Sequence, residues 1–151
     1  MGMSREETFM RAALSLAQDA GAEGEVPVGA VIVYQDEIIA TAHNQVIALS
    51  DPTAHAEILA MREAGRLLGN YRLNQCELYV TLEPCCMCAG AMVHARIQRL
   101  IYGASDPKTG AAGSMFDLLQ GAPLNHRVIT EAGALGEESS MLLKQFFKQR
   151  R

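Results

Sequence analysis

Two short motifs contain the side-chain types that most often bind zinc. In Pro84-Cys85-Cys86-Met87-Cys88, two of the cysteines stand three positions apart. Side chains at that spacing share one face of a helix, so the sulfurs of Cys85 and Cys88 can reach one ion. The upstream motif His55-Ala56-Glu57 offers His55 as a third ligand. Zinc with three protein ligands and one open position is the catalytic pattern, whereas structural sites are closed by four ligands, so the motifs predict catalytic zinc.

Glu57 follows the candidate ligand by two positions, which places a carboxylate beside a water molecule in the open position. Zinc lowers the pKa of its bound water to about 7, so a hydroxide nucleophile exists at neutral pH. If the attacked carbon carries an amine, the reaction is the hydrolytic deamination of an amidine-like centre. One carboxylate can carry every proton, from the water to a ring nitrogen and later to departing ammonia. We therefore expect Glu57 to be the proton shuttle.

The other cysteines and histidines are expected to have structural roles. Helical geometry turns Cys86 away from the cysteine pair, which favours a core side chain, and Cys76 precedes a strand as a buried thiol. Core and surface histidines are commoner than metal ligands, so we expect no metal contact from His43, His94 or His126. A redox pair or a chance spacing is the alternative interpretation of the two cysteines.

Composition predicts a single domain over residues 1–151, since 49% of the residues are hydrophobic and can form a core. We expect no transmembrane helix and no secretory signal. Four cysteines without such a signal favour metal or redox use in a reducing cytoplasm. The net charge of −4 provides no global attraction for nucleic acid, so any such contact needs a local basic patch.

The order of predicted elements indicates an α/β protein with a mixed sheet. Ser4 is the expected cap of the first helix, and Asp51 that of the second. We expect the last helix to turn Met141, Leu142, Leu143, Phe146 and Phe147 inward. Predicted helices lie near residues 4–21, 53–68, 85–95 and 136–147, and predicted strands at 26–34, 38–42, 77–82, 97–102 and 125–129.

Two segments break the local rules for regular structure. Pro27 and Gly29 interrupt an apolar strand that we expect to be buried on both faces, so backbone or ligand is expected to approach closely there. Residues 105–114 form a loop of mostly small side chains. Composition alone favours a surface connection, but a loop that follows the metal-binding helix and the next strand is also a place where substrate is gripped.

The sequence resembles the bacterial tRNA-specific adenosine deaminases along nearly its whole length. The His-x-Glu and Pro-Cys-x-x-Cys motifs are shared with other zinc nucleobase deaminases. Three further segments narrow the resemblance: Lys108-Thr109-Gly110-Ala111-Ala112-Gly113-Ser114, Asn125-His126-Arg127, and the ending Phe146-Phe147-Lys148-Gln149-Arg150-Arg151.

The resemblance implies a cytidine-deaminase-like three-layer α/β/α fold with a five-stranded mixed sheet. It implies conversion of adenosine to inosine at the wobble position of a tRNA anticodon, by a cytoplasmic homodimer with one Zn²⁺ per subunit. His55, Cys85 and Cys88 match the zinc ligands and Glu57 the proton shuttle. Asn44 matches a residue that contacts the target nucleoside, the backbone of Ala56 is expected to face the base, and Asp106 matches a residue that contacts the preceding nucleotide. Expected contacts with the rest of the anticodon stem-loop are Lys108, Asn125, His126, Arg127 and Arg150. We also expect the hydrophobic Val28 and Leu82 to bracket the purine ring.

Two other functions stay open from the sequence. One is a guanine, cytosine or nucleoside deaminase of the same fold, because the metal motif is common to them. The other is a zinc-stabilised RNA-binding module without chemistry. Turnover of free compounds only would favour the first. Unchanged behaviour after Glu57→Ala, or no activity to lose, would favour the second.

Overall fold

The protein is described by a computed structural model that covers residues 4–121 and 125–150. Four helices and five strands follow one another along these residues. In chain order they are α1 (Arg5–Ala22), β1 (Gly29–Tyr34), β2 (Glu37–His43), α2 (Ala56–Leu68), β3 (Glu77–Leu82), α3 (Cys86–Ala95), β4 (Arg99–Ala104), β5 (Ile129–Ala132) and α4 (Gly136–Gln149). Within these residues we find no helix with the length and apolar character needed to cross a membrane.

The five strands form one mixed sheet in the order β2-β1-β3-β4-β5. β1 pairs antiparallel with both β2 and β3, whereas β3–β4 and β4–β5 are parallel. Parallel neighbours require a crossover, and α3 provides it between β3 and β4. The five-stranded mixed sheet predicted from the sequence is confirmed.

Helices cover both faces of the sheet. Successive side chains of β1 alternate between the faces, so Ala30 and Ile32 join the core under α2 and α3, while Val31 and Val33 face α1. Because both faces are buried, β1 is continuously apolar instead of alternating. α4 contacts β4, β3 and α1. The predicted three-layer α/β/α arrangement is therefore confirmed.

Most predicted elements are present, but several boundaries were wrong. The N-cap of α1 is Ser4 as expected, since its hydroxyl accepts the Glu7 N–H at 3.1 Å. α2 begins at Ala56 instead of residue 53, because the carboxylate of Asp51 accepts the Thr53 N–H and hydroxyl and closes a local turn before the helix. Likewise, the Val28 N–H donates to the carbonyl of Val26 at 2.8 Å, and this local bond delays the start of β1 until Gly29.

The last two strands also begin later than their hydrophobic pattern indicated. β4 runs from Arg99, and β5 occupies Ile129–Ala132 instead of residues 125–129. β5 is a short edge strand whose position is decided by parallel pairing with β4. Polar side chains are tolerated on such an edge, so hydrophobicity does not mark the strand.

Three predicted core side chains are exposed. α4 rests on the sheet along only one side, so Phe146 is buried and Leu142 and Leu143 are partly buried, but Met141 and Phe147 project outward. Cys86 is also exposed, because at the start of α3 the side that carries Cys88 and Ala89 faces the core and Cys86 lies on the other side. The buried thiol predicted for Cys76 is confirmed.

Candidate active site

Three side chains converge where two helices begin. His55 is the N-cap residue of α2, Cys85 is the N-cap residue of α3, and Cys88 lies in the first turn of α3. The Nδ1 atom of His55 lies 3.6 Å from Sγ of Cys85 and 3.5 Å from Sγ of Cys88. All three potential ligand atoms lie within 4.8 Å of one another. α2 and α3 begin side by side, so His55 and Cys85, which are 30 positions apart in the chain, meet at one point.

The spacing of these atoms fits tetrahedral zinc. With Zn–S and Zn–N bonds of about 2.3 and 2.05 Å, a tetrahedral angle separates sulfur from nitrogen by about 3.6 Å. The two Nδ1–Sγ distances, 3.6 and 3.5 Å, are close to that separation. One imidazole and two thiolates are also the donor set that zinc prefers over harder cations. His55, Cys85 and Cys88 are therefore suited to hold zinc and leave a fourth position open.

The electrostatic surroundings prepare one sulfur for metal binding. The hydrogen bond with Cys88 lowers the pKa of Cys85 to about 4, and the His55 ring acts in the same direction. The hydrogen bond between the two cysteines raises the pKa of Cys88, and the hydrogen bond between Cys85 and His55 raises the pKa of His55. Helix N-termini further favour negative charge, so a thiolate is available at neutral pH.

Glu57 lies in the first turn of α2 and is only 4% exposed. Positions two apart on a helix face different directions, which is why the sequence allowed a shared site only at a helix end. The backbone of His55 is extended, with φ −73° and ψ 153°, so both side chains line one cavity. Burial raises the pKa of Glu57 to about 7, which suits a carboxylate that both takes and returns a proton near neutral pH.

A cavity of about 430 Å³ opens beside these residues. It contains several of the side chains predicted to contact substrate: Val28, Asn44, Leu82 and Asp106 line the same cavity as His55, Cys85 and Glu57. Val28 and Leu82 supply apolar walls. The volume suits one nucleobase with part of its sugar, at the lower end of ligand cavities.

Asn44 is buried and has a fixed orientation. The side-chain Oδ1 of Asn44 accepts the backbone N–H of Ala56 at 2.8 Å. The backbone N–H of Asn44 donates to the Val28 carbonyl at 3.1 Å. The side-chain NH₂ group of Asn44 is thereby left for a ligand in the cavity. The side chain of Ala56 is fully buried in the core, and a contact of its backbone with substrate stays a prediction.

Asp106 connects the cavity to a second, shallower depression of about 900 Å³. The carboxylate of Asp106 accepts the N–H groups of Lys108 and Thr109 and the Thr109 hydroxyl, so it also shapes its own turn. Basic side chains line the depression: Lys108, Lys144, Lys148 and Arg150. In a chain of net charge −4, contact with nucleic acid would need a local basic patch, and one adjoins the cavity.

The Asn125-His126-Arg127 segment lies elsewhere. His126 Nε2–H donates to the Ile97 carbonyl at 2.7 Å, which is a structural contact. Asn125 borders a different depression beside Arg72 and Arg96. Within residues 4–121 and 125–150 these side chains do not line the cavity beside His55 and Glu57, so their proposed RNA contacts stay predictions.

Sequence reasoning missed two buried carboxylates in the cavity wall, Glu25 and Glu83, each only 2% exposed. Glu25 accepts the N–H groups of Ile47 and Ala48 at 3.1 and 2.8 Å. Glu83 accepts from the loop 105–114. Glu83 stands between apolar residues directly after β3, and that isolation was the available signal. Glu25 follows another glutamate by two positions and precedes β1 by four, so its position carried no such signal.

Comparison with known proteins agrees with this geometry. The family described as the cytidine and deoxycytidylate deaminase zinc-binding region matches residues 3–104, which include all three candidate ligands and Glu57. The chain belongs to this family of zinc-binding deaminases.

Individual relatives define the group within the family. The tRNA-specific adenosine deaminase of Aquifex aeolicus is 53% identical over 97% of this chain and 96% of its own. A structure solved in a study of A-to-I editing by tRNA:A34 deaminases at the wobble position of transfer RNA is 46% identical, covers 90% of this chain and 99% of its own, and has a TM-score of 0.88. A guanine deaminase structure from Bacillus subtilis is 40% identical over 83% of this chain and 82% of its own, with a TM-score of 0.64. The chain therefore groups with the tRNA-specific adenosine deaminases.

Proposed function

We propose that this protein hydrolyses adenosine to inosine at the wobble position of a tRNA anticodon, with release of ammonia. The observation that carries the proposal is the zinc-compatible triad beside a buried Glu57, in a chain more than half identical to a tRNA-specific adenosine deaminase. His55, Cys85 and Cys88 would hold zinc, which would supply the Lewis acidity that makes water a nucleophile at neutral pH.

Glu57 carries the protons of this reaction. Its carboxylate accepts a proton from the attacking water and delivers it to the ring nitrogen next to the carbon that bears the amine. It then helps to protonate the departing ammonia. Burial raises the pKa of Glu57 above that of a free carboxyl group, which favours a carboxylate that readily accepts a proton.

The other side chains of the cavity orient the base and take no part in bond making or proton transfer. Val28 and Leu82 contact the faces of the purine, and the Asn44 NH₂ group donates to the nucleoside because its oxygen is occupied by Ala56. An anticodon loop is single-stranded, so extruding one base into the cavity costs little.

The rest of the RNA is expected to contact the adjoining basic depression. Four basic side chains line it: Lys108, Lys144, Lys148 and Arg150. These cations attract the phosphates locally although the whole chain carries a charge of −4. RNA affinity should therefore decrease steeply as salt concentration rises.

The working form is expected to be a cytoplasmic homodimer with one Zn²⁺ per subunit. Exposed apolar side chains at the end of α2 and just beyond it, Leu67, Leu68 and Tyr71, support an interface between two copies. All four cysteines are free thiols, which agrees with a reducing compartment. Light scattering and elemental analysis of the purified protein measure the two stoichiometries.

Inosine mapping on a tRNA anticodon stem-loop tests the proposal. The wild-type protein should convert only the wobble adenosine. Glu57→Ala should keep its zinc and lose activity by a factor of about 10²–10⁴, because the proton shuttle is removed while the ligands stay. Activity that survives this substitution contradicts the assigned role.

A guanine deaminase is the second candidate, because a guanine deaminase structure shares 40% identity. Incubation with free guanine, cytosine and adenosine separates the two functions. Ammonia release from a free base, with tRNA left unmodified, would reject the RNA proposal and favour this alternative.

A further inference from the structure

The loop at residues 105–114 forms a cradle around one carboxylate. Glu83 Oε1 accepts the Asp106 N–H at 3.0 Å, and Oε2 accepts the N–H groups of Ala112 and Ser114 at 2.9 and 3.1 Å. The hydroxyl of Ser114 donates to Oε1 as well. Four donors from a single loop thus satisfy a carboxylate that is 2% exposed. Glu83 itself has no contact with the candidate zinc ligands in the hydrogen bonds described.

Gly110 gives independent evidence that the loop is shaped around this carboxylate. A Cβ added at Gly110 would lie 2.5 Å from Glu83 Oε1 and 2.5 Å from the carbonyl oxygen of Asp106. Such contacts are far inside van der Waals distance, so the cradle needs glycine at this position. Close packing around Glu83 therefore explains Gly110 in a loop that composition alone assigned to a surface connection, whereas Gly113 has open space around it and a positive φ of 129°.

The cradle connects the segment that carries Cys85 with the basic depression. Glu83 directly precedes Pro84 and Cys85, and the loop carries Asp106 on the cavity wall and Lys108 in the basic depression. A second bond, from the Ala111 N–H to the Pro84 carbonyl at 2.8 Å, attaches the loop to the same segment. The carboxylate therefore sets the position of Asp106 and Lys108 relative to the zinc ligands.

We propose that Glu83 is a positioning residue for RNA: it holds the 105–114 loop in the conformation that binds the nucleotides next to the target adenosine. This inference rests on the proposed function. Glu83 takes no part in proton transfer, so its loss should weaken RNA binding and leave the chemical step nearly unchanged.

Glu83→Gln is the direct test, because glutamine has the same shape but only one acceptor oxygen. That oxygen can serve the Ala112 and Ser114 N–H groups, and the amide NH₂ then faces the Asp106 N–H, which is also a donor. We expect KM for the anticodon stem-loop to rise about tenfold, with kcat changed less than about threefold. Zinc content should stay equal to that of the wild type, and amide exchange should accelerate in the loop but not in α2.

The direction of the change separates positioning from simple charge removal. Loss of a negative charge should strengthen RNA binding, which is the opposite of the expected effect. Glu63→Gln is the matched control, since Glu63 loses the same charge on the outer part of α2, where it pairs with Arg66. Its KM should stay equal to or slightly below the wild-type value.

Ser114→Ala provides a milder variant in case Glu83→Gln fails to fold. It removes only the hydroxyl donor, and we expect KM to rise about threefold. Unchanged KM in the folded variants would overturn the inference, and so would a collapse of kcat with loss of zinc, because Glu83 would then support the ligands instead. Absence of inosine with wild-type protein would defeat the proposed function itself, which is a separate result.

Discussion

Gly29→Ala should destabilise the protein strongly, because α1 crosses β1 at this residue. A Cβ at Gly29 would lie 2.7 Å from the backbone nitrogen of Ala17 and 2.8 Å from Cβ of Leu16, and it would also strike the Ala13 carbonyl oxygen. These obstacles are mainly backbone atoms, so no rotamer change relieves them and the helix must move. Overpacking costs about 1–3 kcal/mol, and the rigid partners place this case near 3 kcal/mol.

Thermal unfolding measures the effect. In a domain of this size 1 kcal/mol corresponds to about 2–4 °C, so we expect Tm to fall by about 6–12 °C. Gly21→Ala is the matched control in the same helix, since its Cβ would meet Pro27 at an ordinary 3.5 Å. Added helix propensity should stabilise that variant by about 0.5–1 kcal/mol. A Tm within about 2 °C of the wild type for Gly29→Ala would refute the packing argument.

Two further predictions concern charge and metal binding. Burial alone would raise the pKa of Glu77, but the hydrogen bonds from Arg5 and Arg99 outweigh burial and hold the pKa below its ordinary value. Stability from these ion pairs is thus present above the unfolded pKa of about 4.3 and is lost as pH falls through the lower folded pKa, so the stability of Glu77→Gln should depend less on pH in that acidic range. For metal binding, Cys88→Ser should lose zinc, whereas the neighbouring Cys86→Ser should keep it, because Cys86 points to solvent. Zinc per chain measures this difference, and equal zinc loss in both variants would contradict the assigned ligand set.

Local sequence signals predicted the secondary structure best where they acted within a few residues. The Ser4 cap and the burial of β1 on both faces depend on neighbouring residues and on hydrophobic pattern, and both are confirmed. The predicted start of α2 was wrong because Asp51 does not cap the helix. Its carboxylate accepts the Thr53 N–H and hydroxyl instead, and these bonds close a turn before the helix begins. A preference for a cap does not exclude a competing turn of similar energy.

Long-range pairing decided what the local pattern could not. β5 is a strand because β4 lies beside it, and its polar edge residues carry no alternating signal. Met141 and Phe147 belong to the apolar pattern of α4, but the sheet supports only one side of that helix. Burial depends on which surfaces meet, and sequence periodicity does not contain that information.

The sequence by itself indicated the chemistry: the identity and spacing of His55, Glu57, Cys85 and Cys88 limited the site to a few reactions, because the type of metal ligand belongs to the individual side chain. Only the tertiary structure decided how these groups are presented. It placed the His55 Nδ1 atom 3.6 and 3.5 Å from the sulfurs of Cys85 and Cys88. It also directed the Asn44 side-chain oxygen toward the Ala56 N–H and folded the loop at residues 105–114 around Glu83. Those distances arise from the packing of segments far apart in the chain, so no local pattern encodes them.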